Sequence, residues 1–331
     1  MLSPNAEANR ADNFHRLCLA SNDLYPDLVA QLTDETGITI DHQKCGTLEA
    51  AFDEDHAIRI AAKLEIQNKL GINAIALDAG EIISLIPDIS SNVIRGIYYP
   101  DDGYVDNRLM LKAFIQYAHD HGIRIIENFA IKTLLIEKEQ VTGVSDGGRT
   151  FTADVTILAT GAWTSLIKFG EHPAPFDIRP IKGQMLSFST LRRPLEKVVI
   201  GPDVYLTPRG DGRVLVGATV EDVGFDKTLR DAAISRLADN ARRILPLLSD
   251  VEVNDSWCGL RPFAADGLPI IGEVPGSASL YVATAHYRNG VLLAPMTAKV
   301  ICEHIVNGRA SVFLDAFGPE RILRNAKATN L

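Results

Sequence analysis

Trp257-Cys258-Gly259-Leu260-Arg261-Pro262 opens the stretch whose reading decides the fold. It continues with Asp266-Gly267-Leu268-Pro269-Ile270-Ile271-Gly272 and the apolar run Leu280-Tyr281-Val282-Ala283. It closes with His286-Tyr287-Arg288-Asn289-Gly290-Val291-Leu292-Leu293-Ala294-Pro295. The last two pieces predict a strand, a glycine turn at Gly290 and a helix from Leu292 to about Val306. A glycine turn that opens a helix leaves unpaired amides at the positive end of the helix dipole. Such an end accepts a phosphate, a carboxylate or a delocalised ring anion. Arg261 and Arg288 flank the turn in sequence. Pro262 biases the Arg261 backbone to extended geometry. Taken singly, either arginine reads better as a surface residue; the order and spacing of all the pieces carry the argument.

Outward from this stretch, the chain alternates helical and extended signals. Residues 6–36 carry Phe14, Leu17, Cys18, Leu24, Leu28, Val29 and Leu32 at roughly helical spacing and predict one helix stopped at Gly37. Ile38 to Leu48 alternates as a strand with a turn at Cys45-Gly46. Residues 53–70 predict a charged amphipathic helix, and Asp78 caps a short one that ends before Pro87. Arg95 to Pro100 reads as a strand, and 107–121 as a helix with Leu111, Phe114, Ile115 and Ala118 on one face. Ile123 to Glu127 then returns as a strand, a βαβ-like order beside a parallel sheet. Residues 130–145 read as a hairpin. Val155 to Ala159 is an apolar strand ending in a small turn at Thr160-Gly161. Strands at 178–188 and 204–219, the second folded over Arg209 to Arg213, precede a helix at 226–245. The pattern predicts a mixed α/β (α+β) fold. A Rossmann-like domain (1–36, 100–177 and 254–331) is interleaved with a β-rich antiparallel domain (37–99 and 178–253).

The chain has 331 residues, 46% of them hydrophobic and 23% charged, as in ordinary globular proteins. A net charge of −9 argues against non-specific nucleic-acid binding and against anchoring on an anionic membrane. No apolar run reaches the ~18–20 residues that span a bilayer. The opening Met1-Leu2-Ser3-Pro4-Asn5-Ala6-Glu7 lacks the basic and apolar regions of a signal peptide. Cys18, Cys45, Cys258 and Cys302 are scattered without metal-ligand spacing, which predicts no metal site, free thiols and a reducing cytoplasm.

The G-L-R-P, D-G-x-P-x-I-G and H-[FY]-R-N-G-[IV]-L-L-A-P pieces resemble the carboxy-terminal flavin and substrate stretch of the D-amino-acid oxidase superfamily. Within it the chain is most similar to the glycine oxidases of thiamine biosynthesis. The resemblance implies an FAD-binding domain and a substrate domain. It implies oxidation of glycine or a small D-amino acid at Cα, hydride passing to the flavin, and O₂ returning it to the oxidised state. The products are then the 2-oxo acid, ammonia and H₂O₂. Sarcosine oxidase and D-amino-acid dehydrogenase are the alternatives in the same superfamily. Arg288 and Arg261 match the family's substrate arginines, whose guanidinium forks suit a carboxylate. Tyr205 matches the family's active-site tyrosine. His286, Tyr287, Arg288, Asn289, Gly290, Val291 and Leu292 match the turn at the flavin ring. Thr160 and Gly161 resemble the A-T-G turn that approaches the cofactor, and Ile131 matches a position at its adenine end. Met1 falls where the family has a methionine beside the flavin; as a chain terminus it is expected to fray. The surroundings of Cys258 do not match a covalent attachment motif, so the FAD is expected to be non-covalent. Partners are a small amino acid and O₂, with homo-oligomers common in the family.

One expected feature is absent. The family opens with a strand, a G-x-G-x-x-G turn and a helix that hold the pyrophosphate. No such motif occurs here, so the chain reads as beginning at an internal methionine, lacking roughly fifty residues of the family's pattern. A misassigned gene start, a genuine loss leaving an inactive remnant without FAD, and a deliberate shortening each account for this.

Overall fold

The computed structural model describes residues 1–277 and 279–323. The chain forms two compact units, each assembled from segments far apart in sequence. The first comprises Met1–Gly122, Lys182–Glu221 and Asp226–Gly259; the second comprises Ile123–Ile181, Asp222–Phe225 and Leu260 onward. The fold is mixed α/β. Among the described residues no helix is long and apolar enough to cross a membrane.

The first unit is built on a large sheet. Its strand order is Val253–Ala264, Ile178–Ser189, Arg213–Gly217, Tyr205–Pro208, Val198–Ile200, Thr47–Ala51, Arg95–Tyr99 and Ile75–Asp78. Val198–Ile200 runs parallel to Thr47–Ala51, whereas Tyr205 opposes Gly217 and Thr47 opposes Tyr99 in antiparallel ladders. Strand residues alternate between faces. Leu48, Leu186, Phe188, Leu206 and Val216 point to a core closed by Leu237, Ala238, Ala241 and Ile244 of the helix Asp231–Ile244. On the other face Ala51, Ile97 and Tyr99 meet Ala57 and Ile60 of the helix Glu54–Lys69. Each fully buried large aliphatic contributes roughly 1.5–3 kcal/mol.

The second unit carries two sheets. One has the order Lys168–Phe169, Thr133–Glu137, Gln140–Ser145, Thr150–Thr152. The other pairs Leu280–Thr284 with Ile270–Glu273 antiparallel and with Thr156–Leu158 parallel. Leu134, Val141, Leu158, Phe169, Ile270, Leu280 and Val282 share one core.

Local signals predict several elements well. Asp53 caps Glu54–Lys69 by accepting from the His56 amide, and Asp78 and Glu81 form a reciprocal capping box. Other expectations are corrected. The single helix over 6–36 is two helices, Asn13–Asn22 and Tyr25–Thr36. Asp12 caps the first one, and Pro26 in the first turn of the second cannot continue a preceding helix. The helix Asn107–Asp120 buries Met110, Ala113 and Ala118, while Leu111, Phe114 and Ile115 are 59%, 42% and 50% exposed. The segment 123–127 is not a strand, and Ile123, Ile125 and Ile126 are exposed. The opening residues are not frayed: Leu2 exchanges two 2.7 Å backbone hydrogen bonds with Gly103 and is buried.

Candidate active site

In the second unit, parallel pairing aligns Leu280 with Thr156 and Val282 with Leu158, so both strands end side by side. Open α/β sheets bind ligands outside the carboxyl ends of such strands. One strand leads through Thr160-Gly161 into a 3₁₀ turn over Gly161–Leu166. The other leads through Ala285 and the 3₁₀ turn Tyr287–Asn289 into the helix Gly290–Asn307.

Three hydroxyls tie these two ends together. Thr164 donates to the Gly161 carbonyl at 2.8 Å, and Thr284 reaches the same carbonyl at 3.1 Å. Thr164 also lies 3.0 Å from both the Thr160 and Thr284 hydroxyls. Gly161 has φ +52°, and an added Cβ would meet no atom within 4 Å, so backbone freedom rather than space calls for glycine. Ala285 and Tyr287 hold positive φ values of 59° and 48° without being glycine. Such strain costs of order 1–3 kcal/mol per residue and concentrates at functional turns.

The helix start differs from the expectation. Gly290 has φ −56° and is the first residue of the helix, not a left-handed turn. A Cβ there would meet only the His286 Cβ, at 3.8 Å, so the chain's own packing does not require glycine. Asn289 caps the helix without a side-chain hydrogen bond. A helix N-terminus whose cap residue makes no side-chain hydrogen bond suits an anion or the edge of a ring carrying negative charge. Val291 is half-exposed, whereas the Leu292 side chain turns into the core, leaving only its backbone available to a ligand.

His286 forms a 3.0 Å hydrogen bond through Nε2 to the Thr297 hydroxyl, about two turns into the helix. Burial pushes its imidazole down to about 4, so it is neutral at pH 7 and adds no fixed charge. Tyr287 stacks edge-on against Phe263, with centroids 5.0 Å apart, and Arg179 covers Phe263 at 5.4 Å. This contact ties the end of the strand bearing Arg261 to the turn bearing Arg288. Arg288 is exposed and Arg261 half-buried. Ile131 packs against the core of the same unit just before Thr133–Glu137, on a different sheet from the two turns.

Tyr205 and Met1 belong to the first unit. The Tyr205 ring crosses Gly217 of the next strand, where a Cβ would collide with Cζ and Oη, and its hydroxyl lies 3.6 Å from Met185 Sδ. The Met1 amino group is buried, which with the nearby Arg209 charge pushes it down to about 5. Cys258 Sγ donates to the Lys227 carbonyl at 3.1 Å, and all four cysteines are free thiols. Among the described residues no group of three His, Cys, Asp or Glu is placed to hold a metal.

Sequence reasoning missed the buried polar residues. Arg209, read only as part of a hairpin turn, is 4% exposed, lies 3.5 Å from Asp106 and covers the Tyr104 ring at 5.1 Å. Asp102 is fully buried and accepts from the amides of Asn5 and Ala6 and from Asn5 Nδ2. Thr164 and Thr284 had no local signal beyond lying near small-residue turns.

A family model described as FAD dependent oxidoreductase matches residues 1–304. A bifunctional protein ThiO/ThiG of Trichormus variabilis is 34% identical over 99% of this chain and 50% of that relative. The chain spans about half the length of the ThiO/ThiG relatives it matches. A glycine oxidase of Pseudomonas putida is 32% identical over 91% of this chain and 81% of its own. The crystal structure of glycine oxidase from Bacillus cereus superposes with a TM-score of 0.86 at 29% identity, covering 95% of this chain and 87% of that one.

Proposed function

The chain belongs to the family of FAD-dependent oxidoreductases, and from that premise we propose that it binds FAD non-covalently and oxidises glycine or a small D-amino acid. The products are the 2-oxo acid, ammonia and H₂O₂. The single observation that carries this reading is the pair of turns at the ends of two parallel strands, tied by Thr164 and Thr284, one turning at Gly161 and the other bearing Arg288 and running into a helix. Names of relatives that contain glycine oxidase or ThiO support the substrate class and a role in thiamine biosynthesis. We assign the reaction to a reducing cytoplasm.

The bound flavin supplies a two-electron acceptor that O₂ can reoxidise. The chain's own residues position the substrate and the ring. Arg288 and Arg261 take the substrate carboxylate, bidentate geometry fixing the direction of the Cα–H bond. The first helical turn from Gly290 and the Thr160-Gly161 turn would hold the flavin ring, and a helix N-terminus there would favour negative charge. His286 stays neutral and holds its turn through Thr297. Ile131 would contribute backbone at the adenine end.

A second reading has its own support. The chain contains no G-x-G-x-x-G, and Ile123, Ile125, Ile126 and Ile157 of the second unit leave apolar surface exposed. On that reading this chain by itself binds no FAD. The visible absorption spectrum of the purified 331-residue chain, before and after anaerobic glycine, separates the two. A flavin band that bleaches with glycine, with peroxide formed on admitting air, supports the oxidase. A band that bleaches without peroxide favours the dehydrogenase alternative. A protein that stays colourless after incubation with FAD refutes the proposal for this chain, and the same spectrum is then taken with any upstream in-frame codons restored.

A further inference from the structure

We infer that the outward face of the helix Glu54–Lys69 is a two-fold antiparallel contact between two copies of this chain. The inner face of this helix is already used, with His56, Ala57, Ile60 and Gln67 buried. The outer face carries Ile58, Ala62 and Ile66 four residues apart, one ridge along a helix. Ile58 is 66% exposed and Ile66 51% exposed. Solvent alone gives no reason for two isoleucines on the middle turns of one exposed ridge.

The charges around that ridge form a palindrome centred on Ala62. Arg59 lies three residues before it and Glu65 three after; Asp55 lies seven before and Lys69 seven after. All four are exposed. Among the described residues none of the four makes a side-chain hydrogen bond or ion pair within the chain. A two-fold axis through Ala62 sets Ile58 against Ile66 of the second copy. It sets Arg59 against the second copy's Glu65 and Asp55 against its Lys69. The small central residue lets the helix axes approach to about 8 Å, the close end of helix packing. A parallel in-register pair would instead face each charge with its like. Complementarity under this one operation is why the occupant is a second copy rather than an unrelated protein, since an isologous contact must be self-complementary.

Sedimentation velocity on the full chain, from about 1 to about 100 µM, tests this. A concentration-dependent monomer–dimer equilibrium is expected. Arg59→Glu or Glu65→Arg alone should each raise the dissociation constant at least about tenfold, because each replaces two symmetry-related attractions by two repulsions. The double swap Arg59→Glu/Glu65→Arg should return it to the parent value, which a variant damaged in folding would not do. Ala62→Cys should give a disulfide-linked dimer under mild oxidation while the parent chain does not. A chain that is monomeric throughout overturns the inference. So does association unchanged by Arg59→Glu, a double swap that fails to restore it, or an introduced cysteine that does not cross-link.

Discussion

Lys182 offers the most demanding check of the packing. It is fully buried, with Nζ 3.4 Å from Glu221, 3.6 Å from Asp226 and donating to the Thr228 carbonyl at 2.9 Å. Glu221 also accepts from Gln184 and Thr219. Lys182→Met keeps the packing of the aliphatic stem and deletes the charge. The carboxylates left behind have side chains 18% and 36% exposed, so water can solvate them. Breaking a wholly buried pair costs about 3–5 kcal/mol; this partial exposure brings the expected loss to about 2 kcal/mol. Glu221→Gln leaves the fully buried ammonium with the more distant, more exposed Asp226 and should cost about 3 kcal/mol. The double variant should cost little more than Glu221→Gln alone, a coupling of about 2 kcal/mol. Burial works to raise the Glu221 carboxyl, but hydrogen bonds from Gln184 and Thr219 and the Lys182 charge outweigh it and hold it below its usual range. Its contribution is therefore present at neutral pH and lost as pH falls through the acid range, where parent and Lys182→Met should converge. Urea unfolding read from Trp163 and Trp257, the two tryptophans, gives all four stabilities. A larger loss from Lys182→Met than from Glu221→Gln, or additive losses, would refute the reasoning.

Three further outcomes are expected. Burial pushes Asp102 from 3.8 up to about 7, so the native state holds a proton that the unfolded chain releases, and stability should fall as pH rises across that window. Asp102→Asn should flatten this slope in urea midpoints measured against pH. Thr164→Val and Thr284→Val should each cost about 1 kcal/mol, because one hydroxyl still serves the Gly161 carbonyl. The double variant should lose about 1 kcal/mol beyond their sum in a thermal-unfolding cycle, since that carbonyl then keeps neither donor. Leu237→Ala, at 2% exposure on the helix covering the sheet, should cost about 2–5 kcal/mol by opening a cavity, read as a shifted urea midpoint.

Elements whose cause is local were legible from residues alone. The Asp78 cap, the helix beginning after Asp53 and the hairpin from Tyr205 to Gly217 each depend on groups within a dozen positions. The glycine-oxidase-like stretch was likewise legible as a pattern. Its exact backbone was not, because the left-handed residues proved to be Ala285 and Tyr287 and not Gly290. The helix Asn107–Asp120 was found with Leu111, Phe114, Ile115 and Ala118 on one face, yet only Ala118 of these is buried: periodicity shows which residues share a face, not which face a neighbour covers. The segment 123–127 has the composition of a strand, yet strand geometry persists only where a partner takes its hydrogen bonds.

The amino-acid order thus settled the family and most element types, since propensity, capping and motif spacing act over a few residues. Folding in three dimensions settled the rest. Thr164 meets Thr284 across 120 positions, Asp102 holds Asn5 across 97, and Lys182 finds the Thr228 carbonyl across 46. Such pairings require closing long loops, and whether closure is favourable depends on every contact made at once. No window of sequence contains that sum.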